Sequence, residues 1–322
     1  MKRAVILTVI AALLLTGCDN AAESGSESST QSESVGISEI HTEEKSFMEK
    51  NKDIIVDSQP PEIEETREGV RYSEFQRYTY YSTTAERDTD VNVLLPPDYD
   101  EDREYPVMYV LHGYYGNESW MARPEVNIPT MLGNLIADGA AKEMIVVAPY
   151  IYCSKEMPYC TGMNLQNSLN YDNFINDLVT DLMPFIESTF SAARGRENTA
   201  ITGFSMGGRE ALFIGFTRPE LFGYIGGVCP APGLSPIIPD SPTHPGQLDQ
   251  SELSFKENAP YALFLSAALN DGVVGRTPYT YRDMLESNGT EFLWHEISEG
   301  GHDHTSVKPH LYNFFRLAFR AE

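Results

Sequence analysis

Short apolar runs alternate with helical patterns along most of the chain, and this alternation restricts the fold more than any other feature. Turn residues bound each run, as is typical of buried strands in a parallel sheet; the runs are 91–95, 107–111, 144–148, 199–202, 224–228, 261–267 and 292–297. Helical patterns fall between them, at 128–138, 173–189, 207–217, 278–287 and 309–320. The alternation predicts a mostly parallel, doubly wound α/β sheet. Alternating polar and aromatic residues at 71–82 predict an antiparallel hairpin at one edge.

The run at 199–202 leads into Gly-Phe-Ser-Met-Gly at residues 203–207, which matches the pattern G-x-S-x-G. The motif follows a strand pattern and opens a helical one, and this strand–turn–helix setting is that of a nucleophile elbow. Glycines suit the turn because strand and helix pack closely behind it. We therefore predict that Ser205 is a catalytic nucleophile. The alternative is a serine that caps the helix in a glycine-rich turn.

A serine hydroxyl attacks effectively only when a base removes its proton, and in this setting the acid and the histidine follow the serine in that order. His302 lies just beyond the last strand pattern, after two glycines, and is the predicted base, with His304 as the second choice. Asp271 comes after the run at 261–267 and is the predicted acid; the alternative is an Asp-Gly turn residue. His-Asp-His at 302–304 also suggests a metal site, but no third ligand accompanies it, so we predict no metal.

Two backbone N–H groups are the predicted donors to the oxyanion of an acyl-transfer reaction. One belongs to Met206, the residue after the nucleophile, at the positive end of a helix. The other belongs to Tyr114, in the loop after the run at 107–111. His112, in the same loop, is predicted to be structural.

The N-terminus has the layout of a secretory signal. Lys2 and Arg3 precede an apolar stretch at 4–15, which is too short to span a bilayer as a helix. Leu-Thr-Gly-Cys at 15–18 resembles a bacterial lipobox, in which the cysteine becomes lipid-modified and the preceding peptide is removed. We predict a signal peptide at 1–17 and a lipid anchor at Cys18 that holds the protein on the outer face of a bacterial membrane. The alternative is an ordinary signal peptide with a chance cysteine.

Residues 18–68 are rich in serine and glutamate and poor in aromatic residues. Such a segment buries too little apolar surface to offset its ordering entropy, so we predict a disordered acidic tether. The character changes at residue 69, and 69–322 is predicted to be one folded domain without internal repeats.

The net charge of −24 disfavours nucleic acid as a partner, because phosphate binding needs a basic surface. It also disfavours electrostatic docking onto anionic lipid.

Cys153 and Cys160 lie close together in a loop-like stretch and form a disulfide or remain two thiols, since spacing alone does not fix the geometry. Cys229, at the end of an apolar run, is predicted to be buried packing.

Taken together, these motifs resemble the esterase D family, which includes carbohydrate esterase family 1. The matching segments are 93–99 (Val-Leu-Leu-Pro-Pro-Asp-Tyr), 111–113 (Leu-His-Gly), 203–208 (Gly-Phe-Ser-Met-Gly-Gly), 270–272 (Asn-Asp-Gly) and 300–303 (Gly-Gly-His-Asp). The nearest likeness is to bacterial feruloyl esterase domains associated with xylan breakdown. The resemblance implies an α/β-hydrolase fold, a triad of Ser205, Asp271 and His302, and an acyl-enzyme mechanism that needs no cofactor.

The resemblance implies a substrate as well, namely feruloyl or acetyl esters of xylan or its fragments. Acyl transfer to another alcohol and hydrolysis of siderophore lactones also occur in the family, and a non-catalytic surface binding protein is the alternative of another class. One stretch departs from the feruloyl esterases: 305–308 reads Thr-Ser-Val-Lys, without their aromatic residue. Tyr115, Trp120 and Tyr152 are the candidates for aromatic pocket surface instead, although each suits core packing equally well.

Overall fold

The computed structural model describes residues 45–236 and 246–321. Within them lies one eight-stranded sheet with helices on its faces. The strands are β1 (Gln76–Ser82), β2 (Arg87–Leu94), β3 (Val107–Leu111), β4 (Ile145–Pro149), β5 (Thr199–Gly203), β6 (Tyr224–Val228), β7 (Ala262–Ala268) and β8 (Leu293–Ile297). The helices are α1 (Phe47–Asn51), α2 (Ile128–Ala137), α3 (Leu165–Asp172), α4 (Phe174–Asp177), α5 (Met183–Thr189), α6 (Met206–Thr217), α7 (Thr277–Asn288) and α8 (His304–Leu317).

The strand order is β1-β2-β4-β3-β5-β6-β7-β8. β1 pairs antiparallel with β2, and β2 with β4, whereas every pair from β4 to β8 is parallel. Strands β3 to β7 are buried along their whole length, because helices cover both faces of a parallel sheet. The predicted mostly parallel sheet with an antiparallel N-terminal edge is confirmed.

Two predicted helices have different bounds in the structure. The pattern at 173–189 becomes α4, a π-helical segment at Leu178–Leu182 and α5. Pro184 lies at the start of α5, where its missing N–H interrupts the α-helical ladder. The last helix begins at His304 rather than 309, because the Asp303 carboxylate caps it by accepting from the N–H of Thr305 at 2.8 Å.

Residues 45–68 fold onto the domain, so the predicted tether is wrong for this part of the chain, and the described domain begins at residue 45 instead of 69. Met48 and Ile63 are buried in the core. The Asn313 amide holds Val56 by both backbone groups, accepting from its N–H at 3.0 Å and donating to its carbonyl at 2.7 Å.

The predicted signal peptide, Cys18 and residues 18–44 lie outside the described residues. No described helix is long and apolar enough to cross a membrane.

Cys153 and Cys160 are free thiols, so a disulfide between them is not formed in the structure. Cys153 is buried, its N–H donates to the carbonyl of Asn170 at 3.0 Å, and burial raises the pKa of its thiol to about 12. The Cys160 sulfur lies 3.7 Å from the carbonyl oxygen of Gly162. Tertiary packing thus buries the Cys153 thiol and leaves the Cys160 sulfur beside Gly162, without a bond between the two sulfurs.

A chain of buried polar side chains crosses the core beside the sheet. The two ring nitrogens of His310 hydrogen-bond to Thr202 Oγ1 at 2.8 Å and Ser266 Oγ at 2.7 Å. Ser266 Oγ also lies 3.5 Å from His295 Nδ1, and His295 Nε2 donates to the carbonyl of Asp57 at 3.0 Å. Burial lowers the pKa of both histidines, so both rings are neutral at neutral pH.

Lowering the pH below about 6.5, the ordinary pKa of histidine, should destabilise the fold through His310 and His295. The unfolded chain takes up protons on both rings near that pH, whereas the folded state does so only at its lowered pKa values. The unfolded state therefore binds more protons in this window. The free energy of unfolding should fall by up to about 1.4 kcal/mol per pH unit for each ring.

Urea unfolding at a series of pH values measures this slope. A His310→Gln variant should lose stability less steeply with falling pH than the wild type. Ser287→Ala, at an exposed position of α7 that carries no titratable group, is the control and should keep the wild-type slope. A wild-type slope in His310→Gln would contradict this assignment.

Candidate active site

Ser205 lies on a sharp turn between β5 and α6, with φ 56° and ψ −116°. Positive φ is strained for a residue other than glycine and persists only where the surroundings hold it. The holding contacts are present, because the Ser205 N–H donates to the Val228 carbonyl at 3.1 Å and its carbonyl accepts from Ala231 at 2.9 Å. Strand and helix approach so closely that a Cβ on Gly203 would lie 2.4 Å from the backbone of Gly207. The local geometry is that of a nucleophile elbow.

The structure brings the three predicted catalytic side chains together in one hydrogen-bonded line. Ser205 Oγ lies 2.8 Å from His302 Nε2, and His302 Nδ1 lies 2.7 Å from Asp271 Oδ2. The serine precedes α6, the aspartate follows β7, and the histidine lies between β8 and α8. These positions share one edge of the sheet because parallel strands end on the same side. The spacing permits proton transfer between Ser205 and His302.

Asp271 is set up to remain an ionised carboxylate. Burial alone would raise its pKa, but the hydrogen bond from His302 and those from the N–H groups of Val274 and Val273 outweigh it, so the pKa lies below its ordinary value. The two backbone donors contact Oδ1 at 3.1 and 2.9 Å, which leaves Oδ2 for the histidine. An acceptor at Nδ1 fixes the proton there and leaves Nε2 free to accept the proton of Ser205 Oγ.

Aromatic rings pack against the reactive histidine. Phe204, next to the serine, lies 4.5 Å from the His302 ring between centroids. The ring of Trp120 stacks on that of Phe204, with 5.0 Å between the centroids and an interplanar angle of 11°. Packing of this kind restricts the imidazole to one orientation, in addition to its hydrogen bond with Asp271.

Both residues predicted as oxyanion donors lie near Ser205 in the structure. Met206 is the first residue of α6, so its N–H has no carbonyl partner within the helix and lies at the positive end of the helix dipole. The loop after β3 passes beside the serine, since a Cβ added to Gly113 would lie 3.2 Å from Ser205 Cβ. Tyr114 follows directly. The Tyr114 side chain is half-buried against the ring of Tyr171, and its hydroxyl donates to the Gly162 carbonyl at 3.1 Å.

His112 orients the peptide that carries the Tyr114 N–H. Its Nδ1 donates to the Gly113 carbonyl at 2.8 Å, and its Nε2 accepts from the N–H of Ile151 at 3.1 Å. Burial lowers the pKa of His112 to about 4, so the ring is neutral at neutral pH. Because C=O and N–H point opposite ways in a trans peptide, the Tyr114 N–H points away from this ring. His112 therefore has a structural position beside the site.

The three predicted pocket aromatics have different surroundings. Tyr152 is only 1% exposed, and its hydroxyl hydrogen-bonds to Asn167 and accepts from Asn170, so its prediction as pocket surface is wrong. Tyr115 lies in the loop after β3 and is 57% exposed. Trp120 is half-buried against Phe204. His304, the second choice for the base, begins α8 and is not part of the hydrogen-bonded line from Ser205 through His302 to Asp271.

Sequence reasoning missed a buried ion pair behind the nucleophile turn. Arg209, four residues after Ser205, pairs with Asp172 of α3 and with Glu210, and its side chain is almost fully buried. A buried guanidinium requires such partners, since an isolated buried charge is strongly destabilising. The available signal was the charged Arg-Glu pair at 209–210 inside an otherwise apolar helix. Arg209 ties α3 to the helix that presents the nucleophile.

Replacing Gly207 with alanine should destabilise the fold by at least about 3 kcal/mol. The added Cβ would lie 2.4 Å from the Leu111 carbonyl oxygen and 2.5 Å from that of His112, and backbone atoms there cannot yield without separating β3 from α6. Urea unfolding measures the loss. Gly162→Ala is the control, because its nearest neighbour is the Asn164 side chain at 3.5 Å. Similar unfolding midpoints for the two variants would show that the packing behind the turn is loose.

Comparison with known proteins is consistent with this geometry. The chain matches the family described as "Putative esterase" over residues 82–274. An endo-1,4-beta-xylanase/feruloyl esterase from Xylanibacter ruminicola is 32% identical over 166 residues, which make up 50% of this chain and 22% of that protein. The chain thus spans less than a quarter of the length of that relative.

Solved structures extend the comparison to 82% of the chain. A CE1 ferulic acid esterase from Anaeromyces mucronatus, in complex with ferulic acid, is 38% identical, with a TM-score of 0.77 over 82% of this chain and 97% of that one. A feruloyl esterase module from Clostridium thermocellum is 17% identical, with a TM-score of 0.62 over 82% of this chain and 93% of that one, and shares the fold. With the family match covering more than half of the chain, the protein belongs to the esterase family described as "Putative esterase" and has an α/β-hydrolase fold.

Proposed function

We propose that the protein hydrolyses feruloyl esters on plant polysaccharide or its fragments, with Ser205 as nucleophile, His302 as base and Asp271 as the residue that orients it. The observation that carries the proposal is the continuous hydrogen-bonded line from Ser205 Oγ through His302 to Asp271. The 38% identity to a ferulic acid esterase that binds ferulic acid supports the acyl group. The likeness to a xylanase/feruloyl esterase supports the polysaccharide.

The proposed reaction has two steps. His302 Nε2 takes the proton of Ser205 as Oγ attacks the ester carbonyl, and the ionised Asp271 stabilises the charged ring. The N–H groups of Met206 and Tyr114 hold the oxyanion. His302 then protonates the leaving alcohol, which departs and leaves the acyl group on Ser205. A water molecule, deprotonated by His302, attacks the acyl-enzyme, releases the acid and restores the serine.

The side chains around the reacting atoms suit an aromatic acyl group. The buried Phe204 packs against the catalytic histidine, and the half-buried Trp120 stacks on Phe204. Leu269 and Val273 are exposed on either side of Asp271 in the loop after β7. Apolar surface of this kind favours a phenolic ring over a small acetyl group, because more of the ligand leaves water on binding.

A panel of esters tests the acyl preference. Methyl ferulate, acetylated xylan and a siderophore lactone are compared at equal protein concentration, with product identified by chromatography. We expect methyl ferulate to give the highest kcat/KM. Preference for acetylated xylan or the lactone would replace the feruloyl proposal, and transfer to an added alcohol in place of water would make the protein an acyltransferase.

We also infer from the lipobox-like sequence that Cys18 carries lipid and holds the protein on the outer face of a bacterial membrane. When the full chain is expressed in bacteria, labelled palmitate should enter the wild type but not Cys18→Ser. The variant should also shift from the membrane fraction to the soluble fraction. Cys160→Ser is the matched control and should label like the wild type. Equal labelling of Cys18→Ser would overturn the anchor.

A further inference from the structure

We propose that a cleft lined in part by the loop after β3, the loop that carries Tyr114, is a subsite for neutral sugar residues on the alcohol side of the ester. This inference rests on the proposed function, since it concerns the carbohydrate half of the same substrate. The cleft has a volume of about 440 Å³, within the range typical of ligand sites. Its walls come from β2, from the loop after β3 and from the segment after β4.

Two exposed tyrosines give the cleft aromatic surface. Tyr115 is 57% exposed and Tyr159 is 64% exposed, so both rings present surface to the cleft that they line. The ring of Tyr150 adds a third, and its hydroxyl donates to the Pro158 carbonyl at 3.1 Å, which holds the Tyr159 segment in place. Exposed aromatic faces bind the apolar C–H faces of sugars, while the hydroxyl edges of the sugar remain available for hydrogen bonds.

A buried hydroxyl in the cleft lacks a partner. Thr89 lines the cleft and is 7% exposed, and its Oγ1 has no hydrogen-bond partner among the residues that the structure describes. An unpaired buried hydroxyl is destabilising unless a ligand or water satisfies it. A sugar hydroxyl can donate to or accept from such a group. This unpaired group is independent of the aromatic surface and points to a hydroxylated ligand.

The charges of the cleft select against acidic ligands. Three carboxylates line it, those of Asp88, Asp90 and Glu118, and Arg87 is the one cation among the described residues that line it. Arg77 of β1 pairs with both Asp90 and Glu118, so the three carboxylates meet two guanidinium groups. The Arg87 guanidinium is already used, because it donates to the Ser154 carbonyl at 2.6 Å and to that of Met157 at 3.3 Å. The net negative charge that remains favours neutral arabinose or xylose units over uronic acids.

The position of the cleft connects it with the reaction. Tyr115 and Gly116 line it and directly follow Tyr114, whose N–H is the proposed oxyanion donor. Gly116 packs against His112, which orients that same peptide. The cleft thus adjoins the loop that passes Ser205, and the proposal places there the sugar of a substrate whose carbonyl lies at Ser205.

Kinetics on two esters test the subsite. The ratio of kcat/KM for a feruloylated arabinoxylo-oligosaccharide to kcat/KM for methyl ferulate is measured for the wild type, Tyr159→Ala and Thr89→Val. We expect the ratio to fall about tenfold in Tyr159→Ala and about threefold in Thr89→Val, mainly through a higher KM for the oligosaccharide. Tyr81→Ala is the matched control, since Tyr81 is equally exposed but lies outside the cleft, and its ratio should stay at the wild-type value. Wild-type ratios in both cleft variants would overturn the subsite.

A binding measurement separates this inference from the proposed function. Ser205→Ala is titrated calorimetrically with the unacylated arabinoxylo-oligosaccharide and with one that carries a uronic acid. We expect binding of the neutral oligosaccharide that weakens about tenfold when Tyr159→Ala is added, and weaker binding of the acidic one. Absence of binding to the neutral oligosaccharide would overturn the subsite even if the wild type hydrolyses methyl ferulate. Binding without any hydrolysis by the wild type would support the subsite and remove the esterase proposal.

Discussion

Ser205→Ala should lower kcat for ester hydrolysis by at least about 10⁴-fold. The oxygen that His302 Nε2 contacts at 2.8 Å is then missing, so no acyl-enzyme can form on this residue. Among the described residues the hydroxyl hydrogen-bonds to His302 alone, and the turn is held through the Ser205 backbone, so the fold should tolerate its loss. Hydrolysis of p-nitrophenyl acetate and of methyl ferulate measures the loss, and circular dichroism and thermal unfolding check the fold.

Ser251→Ala is the control for this variant, since Ser251 is exposed in a 3-10 turn and is not part of the hydrogen-bonded line from Ser205 to Asp271. It should keep wild-type rates. Hydrolysis at more than a hundredth of the wild-type rate by purified, folded Ser205→Ala would remove the serine from the proposed mechanism.

Asp271→Asn should lower kcat by about 10⁴-fold with little change in stability. The carboxylate accepts from His302 Nδ1 at 2.7 Å and keeps the proton on that nitrogen, which leaves Nε2 as the base. An asparagine that turns its NH2 toward the ring favours the opposite tautomer, in which Nε2 carries a proton and cannot accept one from Ser205. The amide also cannot stabilise the positive ring as a carboxylate does. Steady-state kinetics on methyl ferulate measure the change.

Asp303→Asn is the matched control, because Asp303 is next to His302 but its side chain caps α8 through Thr305, a role that asparagine also performs. Activity within a few-fold of the wild type is expected for this control. If Asp271→Asn retained more than a tenth of wild-type kcat, Asp271 would be the turn residue of the alternative interpretation and another acid would be required.

Much of the fold could be predicted because strands of a parallel sheet carry a local signal. The runs at 107–111 and 224–228 coincide with β3 and β6, and the others agree with their strands to within a few residues. Each such strand is buried on both faces, so its side chains are apolar and turn residues mark its ends. Residues 45–68 carried no such signal. They are held by isolated side chains such as Ile63 and by contacts distant in sequence, as between Val56 and Asn313.

The residues of the site also differ in whether a local sequence signal marks them. Ser205, Asp271 and His302 were predicted because each follows a recognisable strand, and strand order sets which loops meet at the sheet edge. Tyr152 and the cysteine pair could not be placed, because the direction of a loop side chain depends on tertiary packing. The unpaired hydroxyl of Thr89 is likewise visible only once its neighbours are known.

The central claim is that Ser205 forms a covalent acyl-enzyme, and trapping at this residue tests it most directly. The wild type, Ser205→Ala and Ser251→Ala are treated with a fluorophosphonate probe and analysed by intact mass and peptide mapping. We expect one adduct per chain on the peptide that contains Ser205 in the wild type and Ser251→Ala, and none in Ser205→Ala. A folded, hydrolytically active wild type that takes up no probe, or takes it up on another residue, would contradict the account.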